Sequence, residues 1–205
     1  MKDIINWFDE QIPFLSARVG IYRLNEKFFF DPTPRFYMSL RRQTNIALNE
    51  ALMQLGGHIH VPILPSILYS EIDEGGQIIF DKYKQCSILI SSEISDKPEL
   101  VAAIMAHELA HYYLMIKGIG LSSLSDNEQL TDVATVFLGL GKLTLNGFRD
   151  TKGLRSLVGY LSSEEVGILI CRICTFRNIH LVDAEEFLFN EARKTLMKSA
   201  RNLMK

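Results

Sequence analysis

His107-Glu108-Leu109-Ala110-His111 lies in the middle of an apolar stretch, and the reading of that stretch decides the fold. Asp96-Lys97-Pro98-Glu99 ahead of it supplies a cap, a first-turn proline and a capping-box glutamate, while Gly118 behind it can close a helix in the left-handed conformation. The run between them predicts one long helix. At about 3.6 residues per turn, positions 107 and 111 share a face, so their imidazoles can hold a single metal ion, zinc by ligand type. Glu108, one position round, is placed to act as general base toward a water at that ion. The plain structural reading needs both imidazoles satisfied side by side in a helix packed with Ala103, Ile104, Leu109 and Leu114, and it explains the pair less well.

Seventeen positions beyond His111 stands Glu128, within Asn127-Glu128-Gln129-Leu130-Thr131-Asp132 at the start of a second helical segment, Ser125 to Leu140. Catalytic zinc usually takes three protein ligands and keeps a fourth position open, which makes Glu128 the candidate third ligand beside His107 and His111. Asp132, one turn further along the same face, can accept the second ring N–H of a ligating histidine and fix its tautomer. Both carboxylates have an ordinary alternative. Ser125-Asp126-Asn127-Glu128 also reads as a capping box in which the glutamate folds back onto the cap, and Asp132 also reads as an exposed helix residue.

His-Glu-x-x-His followed by Asn-Glu-x-x-Thr-Asp resembles the gluzincin metallopeptidases, the thermolysin-like group whose third zinc ligand is a glutamate. The resemblance implies His107, His111 and Glu128 as ligands of one zinc ion, Glu108 as general base and acid, and Asp132 as the aspartate that supports a ligand. It covers about forty of the 205 residues. Ser87-Ile88-Leu89-Ile90-Ser91, followed by Asp96 to Glu99, is similar to the strand-then-helix lead-in of the bacterial ImmA/IrrE proteins. Phe137-Leu138-Gly139-Leu140-Gly141 departs from the Leu-Leu-Met-Pro run of that family. Gly159-Tyr160-Leu161-Ser162, together with Gly139 to Gly141, resembles a set of small bacterial HExxH proteins. These likenesses imply hydrolysis of peptide bonds in a protein or peptide substrate, without naming the substrate.

Composition bounds the remainder. At 205 residues, with 47% hydrophobic and 22% charged, the chain can bury one sizeable core, and a single metallopeptidase-like domain over 1–205 is expected. Within it, 1–57 reads as an N-terminal helical region, 58–141 as a sheet with the metal helices, and 142–205 as C-terminal helices. A net charge of −2 carries no global mark of nucleic-acid binding. No apolar run reaches the roughly twenty residues of a membrane span, and acidic residues near Met1 argue against a signal peptide, so a cytoplasmic location is expected. Cys86, Cys171 and Cys174 do not make a disulfide framework. Cys171 and Cys174 form a C-x-x-C, open to a redox or metal role, but lie on one apolar helix face, which favours core packing.

The elements predicted along the chain are a helix from Asp3 to Gln11, a hairpin from Val19 to Phe30 turning at Asn25-Glu26, and a long helix from Arg35 to Leu55. Leu40, Ile46, Ala47, Ala51 and Leu55 would face the core, and Gly56-Gly57 would end that helix. Strands follow at His58 to Leu64, Gln77 to Phe80 and Cys86 to Ser91, the last feeding the metal helix. A glycine-punctuated connection from Gly139 to Gly153 leads to helices at Ser162 to Arg177 and Asp183 to Met204. The sum is an α+β fold, helix-rich with a small twisted sheet, like a reduced gluzincin scaffold. His58 and His60 would share a strand face, where a second metal is much less expected than packing. The basic stretch Arg193 to Lys205 reads as the solvated end of a helix or, alternatively, as a surface for an acidic partner or membrane.

Gln77 to Phe80 is the first candidate for an edge strand that could hold an extended substrate, and Lys117 to Asp126 for a lid. An oxyanion formed on the substrate would need a donor, and Tyr160 and His180 are the two candidates, each with an ordinary reading as a half-buried tyrosine or a loop histidine. Two hypotheses follow: a zinc-dependent endopeptidase, and a catalytically silent zinc-binding interaction or regulatory module. Glu108 separates them, because a purely structural zinc site has no use for a carboxylate beside its first histidine.

Overall fold

The computed structural model describes residues 2–19, 27–83, 85–148 and 159–203. Among them the order is α1 (Lys2–Val19), α2 (Pro34–Leu40), α3 (Asn45–His58), β1 (Ser66–Ser70), β2 (Gly76–Phe80), β3 (Cys86–Ser91), α4 (Pro98–Ile116), α5 (Leu124–Phe137), α6 (Gly141–Gly147), α7 (Ser163–Arg177), α8 (Leu181–Glu185) and α9 (Asn190–Leu203). The α+β class expected from sequence is the one found. The three strands form one mixed sheet in the order β1-β3-β2, with β1 parallel and β2 antiparallel to the central β3.

Two apolar clusters organise the helices. One gathers α2, α3, the sheet and most of α4; the other gathers α1, α5, α7 and the helices after it. Helix α4 is buried on almost every side, from Pro98 to Ala110 without a break. Its small residues allow this, since a Cβ added to Gly147 of α6 would lie 2.4 Å from the Cβ of Ala103. The buried Asn146 next to that contact donates to the Tyr37 hydroxyl and the Phe187 carbonyl and accepts from the Phe189 N–H, so it joins α2, α6 and the chain before α9.

Several boundaries differ from the sequence reading, each for a local reason. The first helix runs through Pro13, which sits on the exposed face while Phe8, Ile12 and Leu15 are buried on the other. The long helix from Arg35 to Leu55 is two helices, because Gln43 takes a positive φ of 53° and Thr44 caps a new start through the Ala47 N–H. Ile46 is exposed rather than buried, and Leu48 and Leu52 take the core face. Gly56 and Gly57 do not end α3. Gly56 instead admits Leu64, whose Cδ2 would lie 2.1 Å from an added Cβ, and the left-handed residue that ends the helix is His60. His58 to Leu64 is therefore helix end and turn, and the first strand lies further on, at Ser66–Ser70.

The Gly139 to Gly153 connection contains a buried helix, α6, and its residues 149–153 lie outside the described residues. So does the turn of the expected hairpin at Asn25-Glu26; Val19 closes α1, and Lys27 to Phe30 is irregular chain. The last predicted helix is broken between α8 and α9, where Phe187 adopts a φ of 61°. Helix α7 begins as expected at Ser162, with a full capping box to Glu165.

Candidate metal centre

Helix α4 reaches the site through an unusual start and an ordinary end. Lys97, not Asp96, is at the N-cap position and makes no side-chain cap, while Pro98 occupies the first turn and Glu99 is buried. At the far end Gly118 has φ 63°, and the Ile119 N–H donates to the Leu114 carbonyl, the left-handed closure expected of a glycine there. Helix α5 is capped by Ser123, whose hydroxyl accepts from the Asp126 N–H. Ser125 is thus inside the helix, and the capping-box alternative for Glu128 does not hold.

With both helices fixed, His107, His111 and Glu128 converge, with one ligand atom from each lying within 4.8 Å of the others. Glu128 Oε2 is 3.0 Å from His111 Nε2 and 3.5 Å from His107 Nε2. Donors on a tetrahedral zinc with bonds near 2.0–2.1 Å lie about 3.3 Å apart, so both separations suit one small ion. Among the described residues this is the one such group of His, Cys, Asp or Glu.

The remaining ring nitrogens are held in different ways. His107 Nδ1 donates to Asp132 Oδ1 at 2.9 Å, and Asp132 Oδ2 accepts the Tyr160 and Leu161 backbone N–H groups at 2.7 and 2.8 Å. Asp132 is accordingly buried, and the exposed-residue alternative fails. His111 Nδ1 donates to Thr131 Oγ1 at 3.0 Å, and that hydroxyl donates in turn to the Asn127 carbonyl at 2.9 Å. These contacts leave both Nε2 atoms for a ligand role. Thr131 was given no part by the sequence reading, although residues 128, 131 and 132 stand at i, i+3 and i+4 on one helix face. Asn127 has a second duty: its side chain accepts from the Leu121 N–H at 2.6 Å and donates to the Leu121 and Ser123 carbonyls, which pins the proposed lid segment to α5.

Electrostatics follow the partners. Burial opposes charge on His107, but its bonds to Asp132 and Glu128 outweigh this and raise its pKa to about 10. His111 is pushed down, first by burial and then by the positive His107. Glu128 is held below the usual carboxylate range, chiefly by its contact with His107. Glu108 moves the other way: burial raises it to about 7, with help from Glu128 and Glu74 and against the pull of His107.

The group opens into a cleft of about 720 Å³ walled by α4, the start of α5, edge strand β2 with the turn Asp73–Gly75 before it, and Gly159 with Tyr160. Glu108 lies on its floor, and no described residue donates a hydrogen bond to it. Gly76 makes this possible, since an added Cβ would fall 2.9 Å from the Glu108 carboxylate and 2.5 Å from Ile104. Gly159, at φ 135°, passes so close to Asp132 that an added Cβ would lie 2.3 Å from Oδ1.

Tyr160 is therefore at the site, with its side chain largely exposed on the cleft. His180 is exposed ahead of α8 and is not among the cleft-lining residues. His58 shares a hydrogen bond with the Phe28 carbonyl at 3.0 Å and stacks edge-on against Phe30. Cys171 and Cys174 are free and buried, with burial pushing their thiols to about 11 and about 12. No helix among the described residues is long and apolar enough to cross a membrane. Comparison of the chain with family profiles, curated proteins and solved structures finds no match.

Proposed function

We propose that the chain is a zinc-dependent peptidase of gluzincin type, acting on protein or peptide substrates. Glu108 carries the reading: a buried carboxylate beside a two-histidine, one-glutamate ligand group, facing a cleft and receiving no hydrogen bond from the described residues. Two imidazoles and one carboxylate suit zinc and leave a coordination position open, as a catalytic site requires.

When bound, zinc supplies Lewis acidity, acidifying water and polarising a carbonyl oxygen. The chain's own groups do the remainder. Glu108 accepts a proton from water as the water oxygen bonds to the amide carbon, then returns that proton to the amide nitrogen as the C–N bond breaks. Asp132 and Thr131 hold the two imidazoles in the tautomer that presents Nε2. β2 pairs with β3 along one edge, and its other edge can pair with an extended substrate. Tyr160, at the cleft, is a better candidate than His180 for donating to the developing oxyanion. Free thiols at Cys86, Cys171 and Cys174 support a reducing, cytoplasmic setting.

Glu108→Gln is the test. Hydrolysis of a peptide mixture, read by mass spectrometry, should fall by about a thousandfold while zinc content stays near one per chain. Undiminished turnover in the variant would overturn the mechanism. A wild-type protein that holds zinc and cleaves nothing would instead be the silent zinc-binding module.

A further inference from the structure

We propose that the cleft selects extended peptides in which a positive charge lies a few residues from an apolar side chain, the charge being held by Asp73 and Glu74. The inference rests on the peptidase reading above and names its substrate class.

The cleft is lopsided in chemistry. Among the described residues its lining holds four carboxylates, Asp73, Glu74, Glu108 and Glu128, beside two histidines and no lysine or arginine, so the ionisable side chains described there are mainly acidic. Asp73 and Glu74 are exposed and, among the described residues, have neither a cationic partner nor a hydrogen-bond donor. An acidic pair on a turn would by itself mean little. Glu108 adds an independent observation, because it is 8% exposed and directed into the same cleft with its acceptor oxygens unclaimed by any described donor. A buried acceptor of this kind is completed by a group arriving from outside.

Elsewhere the lining is apolar. Phe80, Leu124 and Tyr160 line the cleft with 51%, 78% and 60% of their surfaces exposed, high values for large side chains grouped around a single cleft. Strand β2 joins the two characters, running from the acidic turn at its start to Phe80 at its end. At about 3.3 Å per residue, Glu74 to Phe80 spans about 20 Å, room for about six residues of an extended partner. A chain laid on that edge meets carboxylates at one end and apolar side chains at the other. The cation is a Lys or Arg side chain or a free α-amino group, all of which offer charged N–H donors to a carboxylate.

The experiment uses the full chain loaded with zinc and a peptide mixture in two forms, with free and with acetylated N-termini, read by mass spectrometry for cleavage. The expected result is enrichment of cleaved bonds with a positive charge within about three residues on one side and an apolar residue on the other. If acetylation abolishes the preference, the cation is the terminal amine; if the preference survives, it is a side chain. For a matched pair of peptides with lysine or norleucine at the enriched position, the ratio of kcat/KM should fall about fivefold in the double variant Asp73→Asn, Glu74→Gln. In the wild type the same ratio should fall with added salt, a readout that needs no variant. Cleavage without charge preference, or a ratio unchanged in the double variant, overturns this inference and leaves the peptidase reading standing. Cleavage of no peptide overturns both.

Discussion

Helices α4 and α5 face each other across the site and contribute to it in opposite ways. Helix α4 is buried over nearly its whole length and carries His107 and His111 on a backbone packed by core on almost every side. Helix α5 is exposed in its first turns and buried from Leu130 onward, and Glu128 stands where that change occurs, about a quarter exposed. One wall is a piece of core with candidate ligands on it. The other is a helix exposed at its start and buried beyond, which carries the third candidate ligand together with the groups hydrogen-bonded to both histidines. The packed backbone of α4 therefore sets where the two imidazoles start, and Asp132 and Thr131 hold their Nδ1 atoms.

Ligand removal gives the largest effect and separates the walls. His107→Ala and Glu128→Ala should both reduce zinc from about one per chain to near none, measured by mass spectrometry of the purified protein. Urea unfolding in the presence of a chelator should then distinguish them. His107→Ala empties a buried position and strands Asp132 Oδ1, which costs about 2–3 kcal/mol. Glu128→Ala removes a part-exposed side chain and should stay within about 1 kcal/mol of wild type. Equal destabilisation by the two would erase the contrast, and full zinc retention by Glu128→Ala would remove α5 from the ligand set.

Asp132→Ala comes next. The carboxylate receives His107 Nδ1–H on one oxygen and two backbone N–H groups on the other, so its loss disturbs both the ligand and the 159–161 segment. Zinc affinity should fall about 10–100-fold in a competition titration with a chromophoric chelator. Stability should drop by about 2–3 kcal/mol as the Tyr160 and Leu161 donors lose their acceptor. A variant with wild-type affinity would mean that packing alone orients His107.

The two walls were also unequally legible in the sequence. On α4 a five-residue spacing fixes the geometry, because i and i+4 on a helix share a face whatever surrounds them. The capping expected at Asp96 was misplaced by one residue without moving the histidines, since the core on both sides of the helix sets its position. On α5 the ligand was readable and the alternative for it was not excludable, because Ser123 and Ser125 are equally good caps on paper. Only the packed structure selects Ser123. The breaks at Gln43 and Phe187 and the left-handed His60 were hidden for a related reason: each is a non-glycine residue at positive φ, so no glycine marks the turn in the sequence. His58 to Leu64 illustrates the cost, an apolar run with strand-like alternation that becomes a helix end once Leu64 folds back onto Gly56.

Thr131 offers the smallest and most discriminating change. Its hydroxyl accepts from His111 Nδ1 and donates to the Asn127 carbonyl, a neutral relay where Asp132 gives His107 a charged one. Thr131→Val keeps the shape and removes both bonds. A neutral hydrogen bond contributes about 1 kcal/mol, so zinc affinity should fall about fivefold, less than for Asp132→Ala, with little change in unfolding midpoint. Nitrogen NMR of the His111 ring should show the Nδ1-protonated form losing its dominance in the variant, a change that simple loosening of the fold would not produce. Thr131→Ser should restore both affinity and spectrum, because it keeps the hydroxyl while giving up the methyl group. If valine leaves the His111 tautomer unaltered, the orientation of the second imidazole comes from α4 itself, and the division of labour between the two helices reduces to Asp132 alone.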